Sequence, residues 1–325
     1  MAAEKPQIIQ AEPVKTLIDR LRSDLATLLI LGPAQLNFVL IFVLPIALII
    51  PFTFPVAILV VAFLVIVMFI DVQYNSTVGK RVSQFILQNA IRHFPIKLVI
   101  EDPDAFDEKR SYVFAGEPHT IFPLGIISLL ENSNMFCVKN IRILVGSTVS
   151  RSPIMRQIWT WMGADSVSRE VFRKLLNRGT SVIVIPGGVQ ECLHMRPGCE
   201  VAFLKKRFGF VRIAIQEGSP VVPTFIFNQT KIYSYIKLGY GEWYNKFSRK
   251  VGLAPLWMWG SYLSIIPHRT PLYIAVGKPI EVKKIENPSH EEIAEVHAKY
   301  LKAFEELFEK HKEASGNKNT ILEIY

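Results

Sequence analysis

The chain has 325 residues, half of them apolar, with a mean hydropathy of +0.27 and a net charge of +9 at pH 7. That length exceeds one small domain and accommodates a large domain plus a membrane element. Cys137, Cys192 and Cys199 show no CxxC spacing and the histidines no metal-ligand spacing, so no disulfide framework and no metal are expected.

Residues 1–35 mix both charge signs and read as a flexible or surface-lying lead-in. Leu36 to Ile70 then runs without one charged side chain, too long for a core helix. Pro45, Pro51 and Pro55 interrupt it, so 36–70 is expected to form a transmembrane or re-entrant helical hairpin. Lys15, Arg20 and Arg22 precede it, Lys80, Arg81 and Arg92 follow it, and its turn carries no cation. By the positive-inside rule both termini face the cytosol. The stretch starts late and lacks a small-residue cleavage site, which speaks against a signal peptide.

Residues 71–325 read as the cytosolic domain. Helical periodicity covers Asn75 to Phe94, and Ile96 to Ile100 alternates as a strand. After an acidic loop come a strand at Tyr112 to Ala115, the turn Glu117-Pro118-His119-Thr120, and an apolar, helix-like run from Ile121 to Leu130. A strand at Ile141 to Val145 is followed by helices at Pro153 to Met162 and Ser168 to Asn177. A strand at Ser181 to Ile185 runs straight into Pro186-Gly187-Gly188-Val189-Gln190-Glu191. Strands at Pro220 to Phe227 and Leu272 to Val276 follow. Ser289 and Glu292 form a capping box that opens a C-terminal helix. The alternation gives an α/β domain with a mostly parallel or mixed central sheet and flanking helices. Val251 to Pro267 is uncharged and carries Trp257, Trp259 and Tyr262, which suits a membrane-associated segment or internal packing equally.

Residues 201–250 hold nine Lys/Arg against only Glu217 and Glu242. A local basic patch implies an anionic partner, and no nucleic-acid module accompanies it, so no nucleic acid is expected.

Two turns carry the chemistry. His119 is the side chain able to take and return a proton near neutrality, and Pro118 stiffens the turn that presents it. A capped turn whose histidine satisfies a backbone carbonyl is the competing reading. Gly187 and Gly188 let backbone N–H groups approach an oxyanion closely. Together the two turns form a base-plus-oxyanion arrangement for acyl transfer. Lys205, Lys206, Arg207 and Arg212 lie just beyond and suit the phosphates of an acyl-CoA. No Gly-x-Ser-x-Gly elbow occurs, which speaks against a lipase or thioesterase.

From His93 to Lys312 the sequence resembles the type 2 diacylglycerol acyltransferases and their monoacylglycerol and wax-ester relatives. The resemblance rests on Arg92-His93-Phe94-Pro95, the Glu-Pro-His-Thr turn, Ile185 to Glu191, Lys205 to Arg212, Pro220-Val221-Val222-Pro223 and Val276 to Ile280. Animal and fungal members have His-Pro-His-Gly where this chain has Glu117 to Thr120, a substitution typical of the plant and algal branch. The Asp that related glycerolipid acyltransferases place five residues after their histidine is here Leu124. Glu191, and less so Glu117, is therefore expected to orient His119. The resemblance implies a glycerolipid acyltransferase-like fold and acyl-CoA-dependent esterification of diacylglycerol, with no permanently bound cofactor. Implied substrate-binding residues are Pro118, Thr120, Gly187, Gly188, Gln190 and the four basic residues. Residence in the endoplasmic reticulum membrane, contact with lipid droplets and room for a homo-oligomer are implied as well. Alternative acceptors are monoacylglycerol and a fatty alcohol. The non-enzymatic alternative is a hairpin scaffold of lipid droplets. His194, near Glu191, competes as base.

Overall fold

The computed structural model describes residues 5–251 and 254–325. The first 35 residues depart from expectation. They contain β1 (Gln7–Gln10) and the first half of α1 (Leu17–Ile49). Thr16 Oγ1 accepts the Asp19 N–H at 3.1 Å and the Asp19 carboxylate accepts the Thr16 N–H at 3.2 Å, a reciprocal cap. Ala26, Ile30 and Leu31 then bury a stripe in the core. Charges of both signs hid that stripe because several of them are structural: Asp24 meets Arg269 at 2.6 Å and His93 at 3.0 Å.

Pro33 and Pro45 lie inside α1, which bends by 43° between Leu17–Asn37 and Val39–Ile49. A turn at residues 50–53 leads to α2 (Phe54–Phe69). Among the described helices none is alone long and apolar enough to cross a membrane, although the bent pair has the length and composition. The 16 residues of α2 rise about 24 Å, short of the ~30 Å hydrocarbon core. Phe42, Ile46 and Ile49 of α1 and Phe63, Ile66 and Phe69 of α2 are exposed.

α3 (Thr77–His93) is capped by Ser76 and ends on His93, which also meets the Pro267 carbonyl at 3.1 Å. Burial, reinforced by the Arg269 guanidinium, lowers its pKa to about 4, against the opposing pull of the Pro267 carbonyl and Asp24. Next come β2 (Lys97–Ile100), β3 (Val113–Glu117), β4 (Ile141–Val145), the single turn α4 (Ser147–Ser150) and α5 (Met155–Met162). The apolar run after His119 is a buried 3-10 segment, Leu124–Leu129, rather than an α-helix. Pro123 precedes it, and Gly125 packs so closely that a Cβ there would lie 2.3 Å from Ile226 Cγ2.

Short β5 (Ala164–Ser166) precedes α6 (Arg169–Asn177), β6 (Ser181–Val184), α7 (Val189–His194) and β7 (Cys199–Ala202). The chain continues through α8 (Gly209–Glu217), β8 (Val221–Phe227), β9 (Ser234–Lys237), α9 (Gly241–Val251) and β10 (Leu256–Trp259). It closes with β11 (Tyr273–Val276), α10 (His290–His311) and β12 (Ile321–Ile324). The capping box on Ser289 and Glu292 is present.

Eight strands form one sheet in the order β1-β2-β11-β8-β3-β6-β4-β5. β8, β3, β6, β4 and β5 are mutually parallel, whereas β11 runs against β8 and β1 against β2. The mixed sheet matches the expected class. One face carries α1, α3 and α5, and the other carries α6, α8 and α10. β9 pairs with β10, and β12 with β7, as separate ribbons. Part of the uncharged 251–267 segment is thus a strand, and residues 252–253 fall outside the described residues. Trp257, Tyr262 and Leu263 are exposed.

β3 and β6 are neighbours with Ala115 opposite Val184, so their carboxyl ends deliver the two turns to the same place. In open α/β sheets that edge is where ligands bind.

Candidate active site

β3 ends at Glu117, and a cis peptide joins it to Pro118. The half-buried His119 follows. Its Nδ1 lies 2.7 Å from the Thr120 carbonyl. A carbonyl only accepts, so Nδ1 carries the proton and Nε2 carries the lone pair. Burial lowers the pKa of the ring, which favours that neutral form. Cys192 Sγ donates to the same carbonyl at 2.6 Å. The expected acid is not what turns the ring: neither Glu191 nor Glu117 bonds the imidazole, and the Thr120 carbonyl does so instead.

The two glutamates have a different job. Glu191 Oε2 accepts the backbone N–H of His119 at 2.5 Å, and its Oε1 accepts the N–H of Phe203 at 2.8 Å. Glu117 Oε1 accepts the N–H of Gly187 at 2.5 Å. Each turn therefore holds a backbone N–H of the other through its own glutamate, a reciprocal clasp between β3 and β6. Both oxygens of Glu191 face N–H donors, as suits a carboxylate. Glu117 Oε2 accepts none and is the place left for a proton. Burial raises both carboxyls; the neighbouring Glu191 raises Glu117 further, while the hydrogen bond from Glu117 offsets part of the rise on Glu191, so Glu117 is the one that favours holding a proton. Arg207 faces Glu191 and favours its charge.

Gly187 is glycine because of this clasp, since a Cβ would sit 1.7 Å from Glu191 Oε1. Its N–H is committed to Glu117 and does not face a substrate, which removes it as an oxyanion donor. Gly188 has φ +63° and ψ −156°, a region open to glycine. Its N–H makes no hydrogen bond among the described residues. Thr120 also has positive φ, +51°, a region that glycine enters without strain.

Arg207 Nη2 bonds Gln190 Oε1 at 2.8 Å and reaches the Gly187 carbonyl at 3.4 Å. It thus braces the glycine turn. Lys205 and Lys206 are exposed beside it, and Arg212 is half-buried on α8; none of the three makes an ion pair among the described residues. His194 lies at the end of α7, its ring tilted against those of Phe203 and Tyr325 at centroid distances of 5.0 and 5.7 Å. Among the described residues no hydrogen bond ties it to the His119 turn.

Sequence reasoning missed Cys192, Phe203 and the buried Tyr300, whose hydroxyl lies 3.4 Å from the Ala115 carbonyl. Their contacts run to backbone atoms, which leave no spacing signal. Among the described residues no group of three or more His, Cys, Asp or Glu side chains is placed to hold a metal ion.

The model of the family described as "Diacylglycerol acyltransferase" matches residues 48–325. The chain belongs to that family. "Diacylglycerol O-acyltransferase 2" of Dictyostelium discoideum is 30% identical, covering 80% of this chain and 84% of its own. The Mus musculus protein of the same name is 31% identical, covering 76% and 69%. "2-acylglycerol O-acyltransferase 3" of Homo sapiens is 30% identical over 73% and 76%. The solved 1-acyl-sn-glycerophosphate (LPA) acyltransferase from Thermotoga maritima superposes with a TM-score of 0.40 at 17% identity over 88% and 97% of the two chains, too slight a likeness to add to the reading. As a member of the diacylglycerol acyltransferase family the chain is an acyltransferase of lipid metabolism. Relatives named for two acceptors match it at the same 30%, so identity does not choose between acceptors.

Proposed function

We propose that the chain esterifies the free hydroxyl of diacylglycerol with an acyl group from acyl-CoA, forming triacylglycerol, with His119 as general base. What carries this reading is that neighbouring β3 and β6 deliver the His119 and Gly188 turns to one edge; beside it stands the His119 Nδ1 to Thr120 carbonyl bond at 2.7 Å, which the competing reading also expects. That bond fixes the tautomer and leaves Nε2 as the proton acceptor. Nε2 takes the hydroxyl proton as that oxygen attacks the thioester carbonyl. Collapse of the tetrahedral intermediate forms the ester and expels the coenzyme A thiolate, which receives the proton. The Gly188 N–H is the remaining donor for the oxyanion. Lys205, Lys206 and Arg212 are assigned to the phosphates of coenzyme A, and Arg207 with Gln190 to support of the glycine turn.

The apolar α1–α2 hairpin and the exposed aromatics at 257–263 suit a protein seated in the endoplasmic reticulum membrane or on a lipid droplet. An α2 shorter than the hydrocarbon core favours a hairpin that enters and returns. Both termini are then cytosolic.

The test uses microsomes from a host without storage-lipid synthesis, one labelled acyl-CoA, and diacylglycerol, 2-monoacylglycerol and a fatty alcohol in parallel. Labelled triacylglycerol as the main product supports the reading. Faster labelling of 2-monoacylglycerol or the alcohol replaces the acceptor. No ester from a well-inserted protein favours a scaffold.

A further inference from the structure

The loop that carries His119 leaves β3 and reaches the 3-10 segment at Leu124 without joining a strand ladder. Its position depends on what grips its ends. Gln229 is 1% exposed and begins the 3-10 turn that follows β8, the strand beside β3. Its Nε2 donates to the Pro118 carbonyl at 2.5 Å, immediately before His119. Its Oε1 accepts the Gly125 N–H at 2.9 Å, where the loop ends. One amide thus bridges both ends of the His119 loop. Two further observations show that the contact is built for closeness. Asn228 turns the chain with φ +68°, which brings the next residue inward. Gly125 lies where a Cβ would collide with Ile226 of β8, so its N–H reaches Gln229 only because it is glycine.

We infer that Gln229 is a positioning residue for acyl transfer, holding His119 at the sheet edge through the Pro118 carbonyl and the Gly125 N–H. The inference rests on the reading of His119 as base. The geometry needs one donor and one acceptor on the same short group, and an amide supplies both at every pH. A carboxyl supplies both only when protonated. The titratable groups around the position are His119, Glu200, which Thr230 contacts at 3.2 Å, and Lys231, which is turned to Asn228 and Asn317. The nearby Glu200 is itself pushed up to about 8 by burial, so an acid placed at 229 also titrates high.

The experiment compares wild type, Gln229→Met, Gln229→Glu and His119→Ala in microsomes, measuring labelled ester formation from weakly acidic to weakly alkaline pH. Gln229→Met is expected to lower kcat on the order of 10–100-fold with the acyl-CoA KM nearly unchanged, since a displaced base slows chemistry without weakening ground-state binding. For Gln229→Glu the rate relative to wild type at each pH is expected to fall as pH rises, because the carboxylate cannot donate to Pro118. The pH trend of this ratio does not depend on how much of either protein is inserted and stays informative if Gln229→Met inserts poorly. Full kcat in well-inserted Gln229→Met, or a Gln229→Glu ratio that is flat with pH, overturns the positioning role while inactive His119→Ala leaves the base in place. An active His119→Ala overturns the base, and the positioning role falls with it.

Discussion

Around His119 the backbone donors are taken inside the protein. The N–H groups of His119, Phe203, Gly187 and Gly125 each end on a side-chain oxygen of Glu191, Glu117 or Gln229. Around the hairpin and the β9–β10 ribbon the opposite holds: Ile46, Phe63, Trp257, Tyr262 and Leu263 are large side chains left exposed. Arg20 Nη2, on the half of α1 that leads into the hairpin, reaches the Tyr262 hydroxyl beyond the ribbon at 3.2 Å. A site whose donors, the Gly188 N–H apart, are assigned inside the protein keeps its geometry without a ligand, as preorganised catalysis requires. An apolar strip of this extent is unusual on a soluble protein and suits a lipid phase. Division of labour follows: the clasped edge does chemistry and the bare strip meets the substrate's own phase.

The largest break in that comparison is expected from Gly187→Ala. The new methyl expels the Glu191 carboxylate, leaving the His119 and Phe203 N–H groups unpaired at about 1–3 kcal/mol each. Thermal unfolding of the purified protein should show that loss, and ester formation should fall on the order of 100-fold as His119 shifts.

The glutamates separate next. Glu117→Gln keeps an acceptor for Gly187 and a permanent donor toward Glu191, so its neutral-pH rate should stay within about twofold, whereas Glu191→Gln gives up one of two N–H acceptances and should lose roughly tenfold. The sign with pH is fixed by the raised carboxyls. The folded protein holds the shared proton above the ordinary carboxylate range, so its contribution is full at acid pH and lost as pH rises through the raised pKa. The melting-temperature difference between Glu117→Gln and wild type should therefore grow in the variant's favour toward alkaline pH. A constant difference would mean that the pair shares no proton.

His119 titrates the other way. With its pKa lowered by burial, the neutral base persists below the ordinary histidine range, and the acid limb of kcat/KM should lie lower than that of a free imidazole. The smallest effect concerns the strip. Trp257→Ser and Tyr262→Ser should each weaken partition onto anionic vesicles about fivefold, equivalent to about 1 kcal/mol, while leaving the rate in detergent unchanged. Unaltered partition would make those aromatics mere surface residues.

Elements whose stability is local were legible in the sequence. The stripe of α3, the Ser289–Glu292 cap, and the strands feeding Glu117 and Pro186 all lie where residue patterns place them. The first half of α1 was obscured because its apolar stripe alternates with charges that pair far away, Asp19 with Arg92 and Asp24 with Arg269. β12 was missed because its partner β7 lies more than a hundred residues earlier. At the site the sequence pointed to His119, Glu117, Glu191 and the glycines together, yet not to their division of roles. Glu191 spends both oxygens on backbone N–H groups, and Gln229 grips a carbonyl and an N–H. Backbone partners carry no residue type, so neither contact has a motif.

The most direct test of the account is the rate of labelled triacylglycerol formation by well-inserted His119→Ala beside wild type at neutral pH. Loss of at least about 10²-fold, the low end for a general base, is the predicted result. Retention of near wild-type activity would contradict His119 as the base and with it the mechanism built on the Thr120 carbonyl.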